Sequence, residues 1–112
     1  MISIVPATVE HVRALYGENP PRTLRAMAAV DGDQVIGLAG IYQDAGLDVV
    51  FAKVTPELAK DRRAVLAGAR KVMALFGQRV FAVCDPDQQT ADGFLRHFGF
   101  EPLAKGVYVW NR

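Results

Sequence analysis

The sequence has little cysteine, almost no serine and no long apolar run. A single cysteine, Cys84, excludes a disulfide-stapled fold. The only serine, Ser3, lies at the start with no nucleophile-elbow pattern, which sets serine hydrolysis aside. No stretch approaches the roughly 20 apolar residues of a membrane span. The opening residues, Met1-Ile2-Ser3-Ile4-Val5-Pro6, lack the basic-then-apolar order of a secretory signal. The expected location is therefore the cytoplasm, with no membrane partner. Nor does charge of one sign dominate: 13 Lys and Arg against 12 Asp and Glu leave +1, so nucleic acid is not an expected partner. His11, Cys84 and His97 are isolated, and no metal is expected. Asp85, Asp87 and Asp92 hint at a calcium loop, but Thr90 replaces its glycine and Arg96 its terminal glutamate.

The 112 residues, 51% of them hydrophobic, suit one domain over residues 1–112. Ile2 to Val5 is a short strand. Thr8 is an N-cap for a helix with Val9, Val12 and Tyr16 on one face, ended by Gly17. After a loop at Pro20-Pro21, Leu24 to Val30 alternates as a half-buried strand. Val35 to Tyr42 and Leu47 to Val54 follow, with connections too short for crossovers, so the three form an antiparallel meander. Gly37 and Gly40 fall inside a strand, not in the strand-to-helix turn of a dinucleotide site. Val65, Ala69, Val72 and Phe76 then repeat at helical spacing, and one helix is expected from Pro56 to Phe76. Val80 to Cys84 is a strand, Ala91 to Phe98 a helix with its stripe at Ala91, Phe94, Leu95 and Phe98. Phe100 to Leu103 and Val107 to Trp110 close the chain as a hairpin. The fold class is α/β, a mixed sheet in the order β-α-β-β-β-α-β-α-β-β, with helices on both faces and one right-handed crossover between Leu47 and Cys84.

Two stretches resemble the GNAT superfamily, the Gcn5-related N-acetyltransferases. Val54-Thr55-Pro56-Glu57-Leu58 before a basic helix start is similar to that family's fourth strand and pyrophosphate-binding helix. Ala91-Asp92-Gly93-Phe94-Leu95-Arg96-His97-Phe98-Gly99-Phe100-Glu101-Pro102 is similar to its late helix and the Gly-Phe after it. The short length resembles small members encoded in phages and prophages. The resemblance implies acetyl-CoA bound where the fourth and fifth strands diverge, with Ala52 and Val54 supplying backbone groups to the pantetheine arm. It also implies the pyrophosphate at the start of the following helix. The family's Gln/Arg-x-x-Gly-x-Gly/Ala loop falls on Ala59, Lys60, Asp61, Arg62, Arg63 and Ala64, where only Ala64 fits. Lys60, Arg62 and Arg63 would be cations at a helix start, unfavourable by about 0.3–1 kcal/mol each unless an anion binds there.

The family's usual tyrosine acid falls on Leu95, and its asparagine on Gln88. Tyr108 and Tyr42 are stand-in candidates for the acid, with Glu57, Asp48 and His97 as candidate bases. Cys84 would lie near the cofactor, although a lone cysteine on an apolar strand is more often core. Arg70 and Lys71 extend the basic face. The expected function is acetyl transfer from acetyl-CoA to a primary amine, of a small molecule or a protein, by direct attack. The alternative is a catalytically inert module with a binding or phage-particle role. Val107 to Trp110, as a terminal edge strand, offers pairing with a second copy as a homodimer.

Overall fold

The computed structural model describes residues 1–19, 24–83 and 89–112 (for 89–91, the backbone). Its elements are β1 (Ile2–Pro6), α1 (Val9–Tyr16), β2 (Arg25–Asp31), β3 (Gln34–Asp44), β4 (Leu47–Val54), α2 (Pro56–Ala59), α3 (Arg62–Met73), β5 (Arg79–Val83), α4 (Gln89–His97), β6 (Glu101–Ala104) and β7 (Val107–Asn111). The expected Pro20-Pro21 loop and the residues from Cys84 to Gln88 lie outside the described residues. The seven strands form one mixed sheet in the order β1-β2-β3-β4-β5-β7-β6. All neighbours are antiparallel except β4 and β5, which run parallel.

Local chemistry accounts for the helix boundaries. Thr8 Oγ1 accepts from His11 N at 3.2 Å, and His11 Nδ1 accepts in return from Thr8 N at 3.0 Å. This reciprocal pair caps α1. Gly17 closes it in the left-handed region at φ 75°. The single helix expected from Pro56 to Phe76 is instead two. Thr55 caps α2, whose buried Leu58 anchors it beside Ala29 and Ile36. Asp61 then leaves helical geometry and its carboxylate accepts from Ala64 N at 3.0 Å, starting α3 afresh. A short carboxylate side chain competes with the helix ladder for nearby N–H groups, and here it wins.

Helices α2, α3 and α4 pack on one face of the sheet and α1 on the other. On the first face Ile41, Val72, Phe76, Val80, Ala82 and Phe100 form a buried cluster, joined by Leu95 and Phe98 of α4. On the second, Val12 of α1 packs with Ala28 and Leu38. The half-buried strand expected from Leu24 to Val30 is in fact covered on both sides: Ala28 faces α1, while Ala29 lies with Leu58 of α2. Alanines make this sandwich thin enough to close.

The expected outer strand is also corrected. β7 lies between β5 and β6, and β6 forms the edge. Pro102 of β6 has no N–H to give a further strand, so it suits an edge and not the interior.

Both strand glycines of β3 answer to close approaches. A Cβ at Gly40 would overlap the backbone of Arg25 and Ala26, while one at Gly37 would overlap the end of the Leu58 side chain. Backbone cannot step aside and a leucine tip can rotate. Gly40→Ala is therefore expected to cost about 3 kcal/mol and Gly37→Ala about 1 kcal/mol. Urea unfolding of the two variants measures the order, which equal losses would contradict.

Candidate functional site

The parallel joint between β4 and β5 is short. Among the described residues only Val49 pairs with Phe81 and Val50 with Ala82. β4 continues past that point to Val54, held to β3 in unbroken register from Asp44↔Leu47 to Gly37↔Val54. β5 follows β7 instead, from Arg79↔Asn111 to Val83↔Val107. Phe51 and Val83 no longer pair, so among the described residues the two strands part beyond Val50 and Ala82 and form a fork.

The direction of the β4 backbone groups follows from one bond. Thr55 N donates to Ile36 O at 3.2 Å. Antiparallel ladders alternate between residues that bond across and residues that point away. With Thr55 bonded toward β3, Lys53 and Phe51 are as well, and Ala52 and Val54 turn their N–H and C=O groups into the fork. The Thr55 hydroxyl fixes this end further, donating to Ile36 O at 2.6 Å. Both side chains at Ala52 and Val54 are exposed.

The helices after β4 and β5 begin at this same end of the sheet. Lys60, Arg62 and Arg63 are exposed around the start of α3, and Ala64 is half-buried. Asp61 stands among them with its carboxylate on the Ala64 amide, so one anion already occupies part of the helix terminus. Arg70 and Lys71 do not join this group. They lie about 12 Å further along α3 at 1.5 Å per residue, and Lys71 Nζ donates to Ile4 O on the outer strand β1.

The proposed acid–base residues are dispersed. Tyr108 is directly opposite Ala82, the last β5 residue paired before the fork. Its hydroxyl donates to Asp92 Oδ1 at 2.6 Å, and Arg96 Nε donates to the other carboxylate oxygen at 2.9 Å. These bonds, that of Tyr108 foremost, hold the Asp92 carboxyl below the usual aspartate range. Tyr42 pairs with Val49 on the closed side of the fork and packs on Phe51 at 6.0 Å between ring centroids. Glu57 is exposed on α2, and Asp48 lies at the far end of β4. His97 is exposed at the end of α4, against Phe98. Gln88 and Cys84 lie outside the described residues. Among the described residues no group of three His, Cys, Asp or Glu side chains gathers as a metal site, and no helix is long and apolar enough to cross a membrane.

Two contributions were not anticipated from sequence. Asp92 serves Tyr108 across 16 positions, a pairing no local spacing announces. Lys53, on the free stretch of β4, donates to Leu15 O at 2.8 Å and lies 4.9 Å from the Tyr16 ring centroid. It thereby ties the end of α1 to the fork.

Because its folded value is lowered, Asp92 stabilises the fold above the ordinary aspartate range, and that contribution disappears as pH falls through the folded value. Acid should therefore loosen the tie between α4 and β7. Melting temperature followed against pH should fall more steeply in acid for the native chain than for Tyr108→Phe. Parallel curves would contradict this.

No protein-family model matches the chain, and no curated protein matches it in sequence. Solved structures do match in shape. The ribosomal-protein-S18-alanine N-acetyltransferase of Escherichia coli superposes with a TM-score of 0.72 at 10% identity, over 99% of this chain and 94% of that one. A GNAT-family acetyltransferase of Staphylococcus aureus gives 0.68 at 11% identity, over 99% of each chain. N-acetylglutamate synthase of Neisseria gonorrhoeae, solved with coenzyme A and N-acetylglutamate, gives 0.61 at 15% identity over 99% of this chain and 35% of that one. The mixed sheet with helices on both faces has the fold of the GNAT acetyltransferases.

Proposed function

We propose that the chain is an N-acetyltransferase that moves acetyl from acetyl-CoA to a primary amine, of a small molecule or of a protein. The fork carries this reading. Amide groups directed into an opening between strands are suited to bind an extended chain that bears amides of its own. Ala52 and Val54 would bind the pantetheine arm there. Lys60, Arg62 and Arg63 would hold the pyrophosphate at the start of α3, sharing the Ala64 end of the helix with Asp61.

Acetyl-CoA supplies the acetyl group as a thioester, which an unprotonated amine attacks directly. The chain's part is to hold that carbon and the amine together, and approximation of this kind can lower a barrier by about 7–11 kcal/mol. Tyr108 serves in this reading to hold α4 against β7. A phenolate at Tyr108 would face the Asp92 carboxylate at hydrogen-bond distance, which disfavours passing that proton to a leaving thiolate. As the C–N bond forms the C–S bond breaks, and the proton lost by the amine nitrogen would reach the departing coenzyme A sulfur through solvent, so neither Tyr42 nor Glu57 is assigned as acid or base in this reading.

Calorimetric titration with acetyl-CoA tests the proposal. Saturable binding is expected. The double variant Arg62→Ala with Arg63→Ala should weaken it by at least several-fold. Asp61→Asn should tighten it, because asparagine still caps α3 while the charge that opposes a pyrophosphate is gone. Tyr108→Phe should lose thermal stability and keep most of its turnover. A flat titration at about millimolar cofactor would end the transferase reading, and weaker binding by Asp61→Asn would end the account of the phosphate end.

A further inference from the structure

On the face that carries α1, half the sheet has no helix over it among the described residues. α1 reaches β2, β3 and β4 through Val12 and Leu15, which pack with Ala28, Leu38 and Phe51. The registers extend the same face across the remaining strands. Val49 lies opposite Phe81, Phe81 opposite Val109, and Val109 opposite Glu101. One step along, Val83 lies opposite Val107. One step back, Arg79 lies opposite Asn111. The alternate residues, including Val80 and Ala82, point the other way into the core.

The patch without a helix over it among the described residues is therefore Val49, Phe81, Val83, Val107 and Val109, of which Val83 is 68% exposed and the other four are half-buried. A sheet face meant for water alternates to polar residues. This one is β-branched and aromatic, the composition of a packed face. Charge enters only at its borders. Arg79, held by the donation of its Nε to Asn111 Oδ1 at 2.9 Å, stands at one border and Glu101 at the other.

We infer that this face is the contact between two copies of the chain. The two charges select that occupant. A partner of one sign would match one border and oppose the other. A second copy related by a two-fold axis brings Arg79 to the partner's Glu101 and Glu101 to the partner's Arg79 in the same step. Sheets pack face to face at about 10 Å, a gap that arginine and glutamate side chains together span. The contact lies on the broad face of the sheet, not on the edge that the hairpin order had suggested, and it stands whether or not the chain transfers acetyl groups.

Sedimentation equilibrium of the full chain over a micromolar to millimolar series is expected to approach twice the 12.2 kDa chain mass. Val83→Lys, at a side chain already in solvent, should return the mass to that of one chain with an unchanged circular dichroism spectrum. Arg79→Glu and Glu101→Arg should each weaken the dimer at least several-fold, and the two together should restore it. Should Val83→Lys fail to fold, the charge exchange carries the test, since both of its sites are exposed. A native chain that stays monomeric, a dimer that ignores Val83→Lys, or charge reversals that do not compensate one another would each overturn the inference.

Discussion

Two rungs between β4 and β5, among the described residues, join two antiparallel blocks. β1 to β4 form one block, tied strand to strand along most of their length, and β5, β7 and β6 form the other. Twist accumulates within each block, and a joint of two residue pairs cannot force the blocks into a common plane. Side chains beneath the joint hold it together. Ile41 and Val50 from one block meet Val80 and Ala82 from the other, over Phe76, just past the end of α3. The Phe76 ring lies 5.1 Å from that of Trp110 and 6.0 Å from that of Phe100. The blocks are thus fastened by packing at one end and, among the described residues, unpaired beyond Val50 and Ala82 at the other.

The open end is where the charged groups of the crossover collect. Lys60, Arg62 and Arg63 stand at a helix start, the terminus least favourable to cations, and Asp61 offsets them only in part. An N-cap carboxylate is what an unliganded helix would select for itself. Cations around it are what an anion at that place would select. The sequence carries both, so α3 is self-capped and, in the proposed reading, would still gain from a phosphate.

Much of this architecture could be read from residue spacing. The strands, the order of the crossover and the Thr8 and Gly17 boundaries follow from periodicity and from caps, which depend on neighbours in sequence. The split at Asp61 was less visible because Leu58, Val65 and Val72 keep a seven-residue spacing that an unbroken helix would also show. The cap competes locally, and hydrophobic period does not register it. The order of the final hairpin strands was legible through Pro102, a residue without an N–H, but the apolar character of Phe100 and Leu103 masked that signal. That Ala52 and Val54 lie on β4 follows from strand periodicity, whereas the link from Tyr108 to Asp92 depends on how α4 settles against β7.

Covering only part of the α1 face has a consequence for the fork itself. A helix laid over Phe81 and Val83 would bury apolar side chains worth about 1.5–3 kcal/mol each, and would also close the fork from that side. Among the described residues the helix on that face lies instead over β2 to β4, ending at Tyr16 and Lys53 beside the opening. Access to the fork from the α1 side and the uncovered patch on β5 and β7 thus share one cause among the described residues, since α1 reaches no further than β4. In the two readings proposed, the surface facing a second copy and the surface facing an acceptor would meet at Val83.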